Sequence, residues 1–131
     1  MKAAVLSYLL FLVLFVGIDF VWLGRAGDTI YRPVMGDMAL PGFRAPPAIA
    51  FYLLYAFGAL VFAIAPGLSG GGWQAAGLRG LAFGLCAYGT YDLTNQATLR
   101  NWSTTLTLID MSWGALLTGA AAAIATVIAS S

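Results

Sequence analysis

The sequence predicts an all-α integral membrane protein, a four-helix bundle of up-down topology in one domain, 1–131. Three observations carry that expectation. Of 131 residues, 61% are hydrophobic and only 8% charged, whereas soluble domains carry about 25% charged residues. Four stretches come near the roughly 20 mostly apolar residues that a spanning helix needs. Short Gly-, Pro- or Asn-containing connections separate the last three, and short connections make neighbouring helices antiparallel.

Helix 1 is expected over residues 3–23. Lys2 before an apolar run resembles the start of a cleaved signal peptide. The run is long, however, it contains Asp19, and no small-x-small pattern closes it. It is therefore read as a retained helix. Residues 25–46 form the longest connection, with Ile30, Val34 and Met38 at helical spacing and Asp28 and Asp37 among them. This segment reads equally as a short amphipathic piece along the membrane surface or as a loop. Pro33 opposes one continuous helix there, unless a helix begins with it.

Helix 2 is expected over 47–64, helix 3 over 73–96 and helix 4 over 103–128. The stretch "PGLSGGG" ends helix 2 in a flexible turn. The stretch "LRNWS" makes a tight turn before helix 4. Polar residues interrupt helices 3 and 4, so both should score lower in hydropathy than the first two. Lys2 and Arg79 fall on one side of such a bundle; Arg25, Arg32, Arg44 and Arg100 fall on the other. Positive loops stay inside, which places the arginine-bearing loops in the cytoplasm and both termini outside.

Composition also excludes function classes. The chain has no His, no Glu and a single Cys, and its net charge is +1. An imidazole or thiolate metal site within one chain is excluded, as is a Ser-His-Asp or Cys-His catalytic set. No cofactor is expected. Nucleic acid is not an expected partner, because no basic stripe exists to neutralise phosphates. The lipid bilayer is the expected partner, together with a lipid-derived ligand or a membrane enzyme; a homo-oligomer is compatible with the sequence. The "SGGGW" turn lacks the Lys and the strand-to-helix context of a phosphate-binding loop.

All five acids are aspartates, and Asp19, Asp92 and Asp110 fall within predicted helices. With a rise of 1.5 Å per residue, they lie about 9, 12 and 13 Å inside the same end of an up-down bundle. An Asp at a helix centre opposes membrane insertion by roughly 2.5–3.5 kcal/mol. Three such acids in one layer should therefore include a protonated carboxyl, or be compensated by a cation or by a nearby Arg. Arg100 and Arg25 are the candidates for that arginine.

Tyr88, Asp92 and Asn95 share one face of helix 3; Thr107, Asp110, Gly114 and Thr118 share one face of helix 4. Trp22 and Trp113 each follow an acid by three residues, and Tyr52 and Tyr55 begin helix 2 at the same end. The candidate ligand-binding or proton-handling residues are therefore Asp19, Asp92, Asp110, Asn95, Tyr88, Trp22, Trp113 and Arg100. Each has a plainer reading. The acids can be interhelical hydrogen-bond glue, and Trp73 and Trp102 interfacial anchors. Gly77, Gly80 and Gly84 fit close helix packing.

The motifs "IDFVWLG" (18–24), "FYLLYAFGALVF" (51–62), "AYGTYDLTNQATL" (87–99) and "LIDMSWG" (108–114) cover most of the chain. In their order it resembles a bacterial membrane family catalogued as domain of unknown function 2177. The resemblance implies a small four-helix inner-membrane protein, with no established activity. Members of such families often sit near lipid-modification genes, which suits a lipid-related role.

The leading expectation is a polar, carboxylate-lined pocket near one membrane face. It would bind a small or lipid-derived ligand, or serve a membrane lipid-modifying system as a subunit. One alternative is a proton-coupled small-molecule transporter working as an oligomer; another is a purely structural membrane subunit. A stand-alone enzyme is disfavoured, because no nucleophile-base pair is present.

Overall fold

The computed structural model describes residues 2–36 and 44–131. Asp37 and Met38, which the sequence places on the connecting segment, lie outside the described residues. Every regular element among the described residues is helical. Helix α1 spans Lys2–Ala26 and passes through a π-helical turn, Gly27–Tyr31, into the short α2, Arg32–Met35. Helix α3 spans Ala45–Ala59 and continues through a second π turn, Leu60–Ile64. A third π turn, Gly67–Gly71, leads into α4, Gly72–Thr98, and α5 spans Thr104–Ser130.

Among the described residues, three helical stretches are long and apolar enough to cross a membrane: Lys2–Met35, Ala45–Thr98 and Thr104–Ser130. Their hydropathy falls from the first stretch to the last. The last is lowest because α5 carries threonines and Asp110 among its apolar residues. The second stretch is not one rod. Ser69 and Gly70 leave helical geometry, and Gly70 and Gly72 take positive φ values of 124° and 76°, a conformation open to glycine at little cost. The chain turns back there. Phe62 stacks on Phe83 with ring centroids 5.9 Å apart, and Gly58 lies against the same ring.

Local chemistry sets the other ends. Prolines occupy the first turn of α3, where their missing N–H groups would have had no intrahelical partner. Ser103 caps α5 by accepting the Leu106 N–H at 3.1 Å. Pro33 lies in the first turn of α2, directly after the π turn. That helix start reconciles Pro33 with helical spacing. Ile30, Val34 and Met35 then pack with Tyr31 against Trp102, Leu106 and Leu99. The segment is thus a protein-facing cap over the end of α4 and α5.

Lipid offers no hydrophobic drive between helices, so close packing and hydrogen bonds must hold them. The most extensive contact joins α4 to α5, and small residues make it possible. A Cβ on Gly84 would stand 2.5 Å from the Gly114 carbonyl oxygen and 2.8 Å from Thr118 Oγ1. A second layer centres on Phe11, Phe15, Tyr55, Ala59 and Leu117, drawn from α1, α3 and α5. Outward-facing side chains such as Val13, Leu54 and Leu78 are each 70% exposed. They form the apolar coat expected of a surface solvated by lipid.

Outward-facing hydroxyls are satisfied locally. Thr90 donates to the Cys86 carbonyl at 2.7 Å, Thr94 to that of Thr90, and Thr98 to that of Thr94 at 2.8 Å. Without water, a helix must satisfy such groups itself.

Gly84→Val should overpack the α4–α5 seam and lose about 1–3 kcal/mol. A Cβ on Gly17 meets nothing within 4 Å, so Gly17→Ala should be neutral or gain up to about 1 kcal/mol. Thermal unfolding in detergent micelles, followed by tryptophan fluorescence, distinguishes the two outcomes.

Candidate functional site

The three helical acids are all buried: Asp19 on α1, Asp92 on α4 and Asp110 on α5. Asp110 is the middle member of a row. It lies within electrostatic reach of Asp19 on one side, and its carboxyl neighbours that of Asp92 on the other. Among the described residues, no three His, Cys, Asp or Glu side chains are grouped to hold a metal ion.

Each acid has a different environment. Asp19 accepts two hydrogen bonds, from the Tyr52 hydroxyl on α3 at 2.6 Å and from Trp113 Nε1 on α5 at 3.2 Å. Asp110 accepts from the hydroxyl of Tyr31, on the first π turn. Tyr31 in turn accepts from Trp22 Nε1 at 2.8 Å. An indole N–H can only donate, so this chain has a fixed direction, from Trp22 through Tyr31 to Asp110. Asp92 is fully buried, and neither of its carboxyl oxygens receives a donor.

The two tryptophans are exchanged relative to the simple reading of the sequence. Trp22 follows Asp19 by one helical turn but serves Asp110 through Tyr31; Trp113 follows Asp110 but serves Asp19. Their indoles stack between the helices, with centroids 4.4 Å apart and planes 13° apart. The crossing follows from helix geometry. Residues at i and i+3 lie on one face and both point towards the neighbouring helix, so a side chain as long as Trp reaches the acid opposite more readily than its own.

The remaining candidates divide. Tyr88 lays its ring over Gly114, where a Cβ would come within 2.1 Å of it, and meets Tyr55 edge-on at 6.1 Å. The Tyr55 hydroxyl bonds to Thr118 Oγ1 at 2.7 Å. Asn95 and Arg100 belong to a groove that none of the three acids lines. It is open, has a volume of about 270 Å³ and is also lined by Val34, Met35, Tyr91 and Trp102.

Of the compensations open to the acids, a protonated carboxyl, a cation or an arginine, arginine is not the one seen. Arg25 and Arg100 are exposed and pair with none of the three acids, whereas Arg32 pairs with the exposed Asp28 at 3.0 Å. Neutral donors from Tyr and Trp replace arginine at Asp19 and Asp110. Trp102, expected as an interfacial anchor, is instead buried under the cap and donates to Thr107 at 3.1 Å. Trp73 remains about half exposed.

Tyr31 is the site residue that the sequence left unmarked. It sits in the long connection, whose path over the helix ends cannot be read from hydropathy. The nearest signal was the apolar spacing of its neighbours, Ile30 and Val34.

Comparison with protein families decides the affiliation. The model of the family described as "Predicted membrane protein (DUF2177)" matches residues 4–127. The chain belongs to this family. Comparison with curated proteins and with solved structures produced no match. The family assignment and the apolar helices together establish a membrane protein.

The stacked indoles should give an excitonic couplet in near-ultraviolet circular dichroism. Trp22→Phe and Trp113→Phe should each abolish it as completely as the double variant does. Trp113→Phe should also destabilise the fold by about 1–3 kcal/mol through the lost donor to Asp19. A couplet surviving either single substitution would contradict the stack.

Proposed function

We propose that the chain crosses the bacterial cytoplasmic membrane four times as an up-down bundle. Near one membrane face it presents a carboxylate-lined polar site to a small or lipid-derived ligand, either alone or as a subunit of a membrane lipid-modifying system. The reversal at Ser69–Gly72 and the packing of Phe62 on Phe83 support four crossings. The arginine-bearing connections would face the cytoplasm and the termini the other side.

One observation carries the binding assignment: Asp92 is fully buried with no donor to either oxygen. Interhelical glue satisfies its own polar groups, and Asp19, with two donors, fits that description. Asp92 does not. A buried polar group without a partner lowers stability by about 1–3 kcal/mol, and by more when it is charged. Such a group is retained against stability when it serves another purpose.

Asp92→Asn should therefore unfold at the same temperature as the wild type or a higher one, while losing a co-purified small molecule or lipid. Native mass spectrometry of nanodiscs formed directly from membranes reads the second quantity. Equal retention by both proteins would contradict the binding assignment.

Proton-coupled transport by an oligomer is the second reading, and the adjacency of Asp92 and Asp110 favours it. Topology is testable independently. In a Cys86→Ser background, a cysteine at Asn101 should be protected from a membrane-impermeant maleimide added to intact spheroplasts. A cysteine at Ser69 should be labelled. The reverse pattern would invert the orientation.

A further inference from the structure

We propose that the ligand group recognised at Asp92 is an ammonium cation carrying N–H donors, and that its binding displaces a proton from Asp92. This rests on the binding assignment above and names the chemical class of the ligand.

Hydrogen-bond direction locates the protons. Trp22 can only donate to Tyr31, so Tyr31 turns its own proton to Asp110, and that Asp110 oxygen is an acceptor. Asp19 receives donors on both oxygens, from Tyr52 and Trp113. Both acids are thus arranged as carboxylates. Asp92 has no donor and neighbours Asp110. The arrangement that leaves no bare charge there puts a proton on Asp92, directed at Asp110. Two neighbouring buried acids cannot both hold charge cheaply, and one proton between them resolves the conflict.

Charge then identifies the ligand. The row holds two acids arranged as carboxylates, and neither Arg25 nor Arg100 reaches them. Among the described residues, the titratable groups around Asp92 and Asp110 are Tyr88 and Tyr91 on α4, Tyr31 on the π turn and Asp19 on α1, with Tyr52 of α3 behind Asp19. None of these is a cation. A positive ligand is therefore favoured over an anion. The two Asp92 oxygens need donors, which an ammonium supplies through N–H and a quaternary amine does not. The row is not grouped around one point as a hard metal ion requires.

The exchange balances. The Asp92 O–H bond breaks and its proton leaves for water. The ammonium then donates to the Asp92 carboxylate, and the net charge held at the site is unchanged, one cation entering as one proton leaves. A neutral exchange avoids placing additional net charge in a low-dielectric interior.

The test uses full-length protein in phosphatidylcholine nanodiscs. Benzylammonium is the probe and benzyltrimethylammonium the control without N–H. In weak buffer, benzylammonium should release about one proton per cation bound, and Asp92→Asn should release none. The control should bind at least about tenfold more weakly. Infrared difference spectra of the wild type should show loss of a protonated-carboxyl carbonyl band as the amine saturates. This readout stands even if Asp92→Asn fails to fold. Saturating benzylammonium that leaves both the band and the pH unchanged would overturn the proposal, as would equal proton release by the control. If a neutral or anionic lipid is lost from Asp92→Asn while the amine releases no proton, the binding site survives and the ammonium assignment falls.

Discussion

An acid inside hydrocarbon has no water to turn to, so its donors must come from the protein. Most of the arrangement at one end of this molecule follows from that constraint. Tyr52 ties α3 to Asp19, Trp113 ties α5 to the same acid, and Tyr31 brings the connecting segment down onto Asp110. The cap over the Leu99–Ser103 turn is therefore more than apolar cover for Trp102 and Leu106. It delivers a hydroxyl to a carboxylate that the helices alone leave short of donors. The π turn before α2 contributes by changing the helical register, so that Tyr31 faces inward two residues ahead of Pro33.

Elsewhere the same physics acts through size. The α4–α5 seam is built from Gly84, Gly80, Gly114 and Thr118, packed so closely that a Cβ on any of the three glycines would clash. Close backbone contact supplies the dispersion that hydrophobicity cannot supply in lipid. It also fixes the axial positions of Asp92 and Asp110, which lie on these two helices. The rigid seam and the neighbouring carboxyls are therefore products of one packing arrangement.

Much of this was legible in the sequence, and the limits have physical causes. The convergence of Asp19, Asp92 and Asp110 followed from counting residues to the nearest turn, because helical rise is constant. The helical elements followed from length and hydropathy. Which of the three compensations applies was not legible, because counting gives depth but not direction. Arg100 lies beyond the end of α4 and lines the groove with Asn95, which none of the three acids lines. The exchange of tryptophans was hidden because the i, i+3 rule identifies neighbours on one helix and says nothing about which acid lies opposite. Tyr31 was hidden by the irregular connection. The sequence shows that such segments can be helical; their path depends on contacts with Trp102 and Leu106 that no local pattern encodes.

The exchanged tryptophans have a mechanical consequence. The donor for Asp19 is carried by α5, and the donor chain for Asp110 begins on α1. Sliding either helix along the other by a single turn would strip both acids at once and unstack the indoles. The pair therefore behaves like a latch with two teeth, in which neither tooth can be disengaged alone. Any movement that opens this end of the molecule has to be a concerted tilt, or a displacement of the Tyr31 segment, and not a shear of α1 against α5.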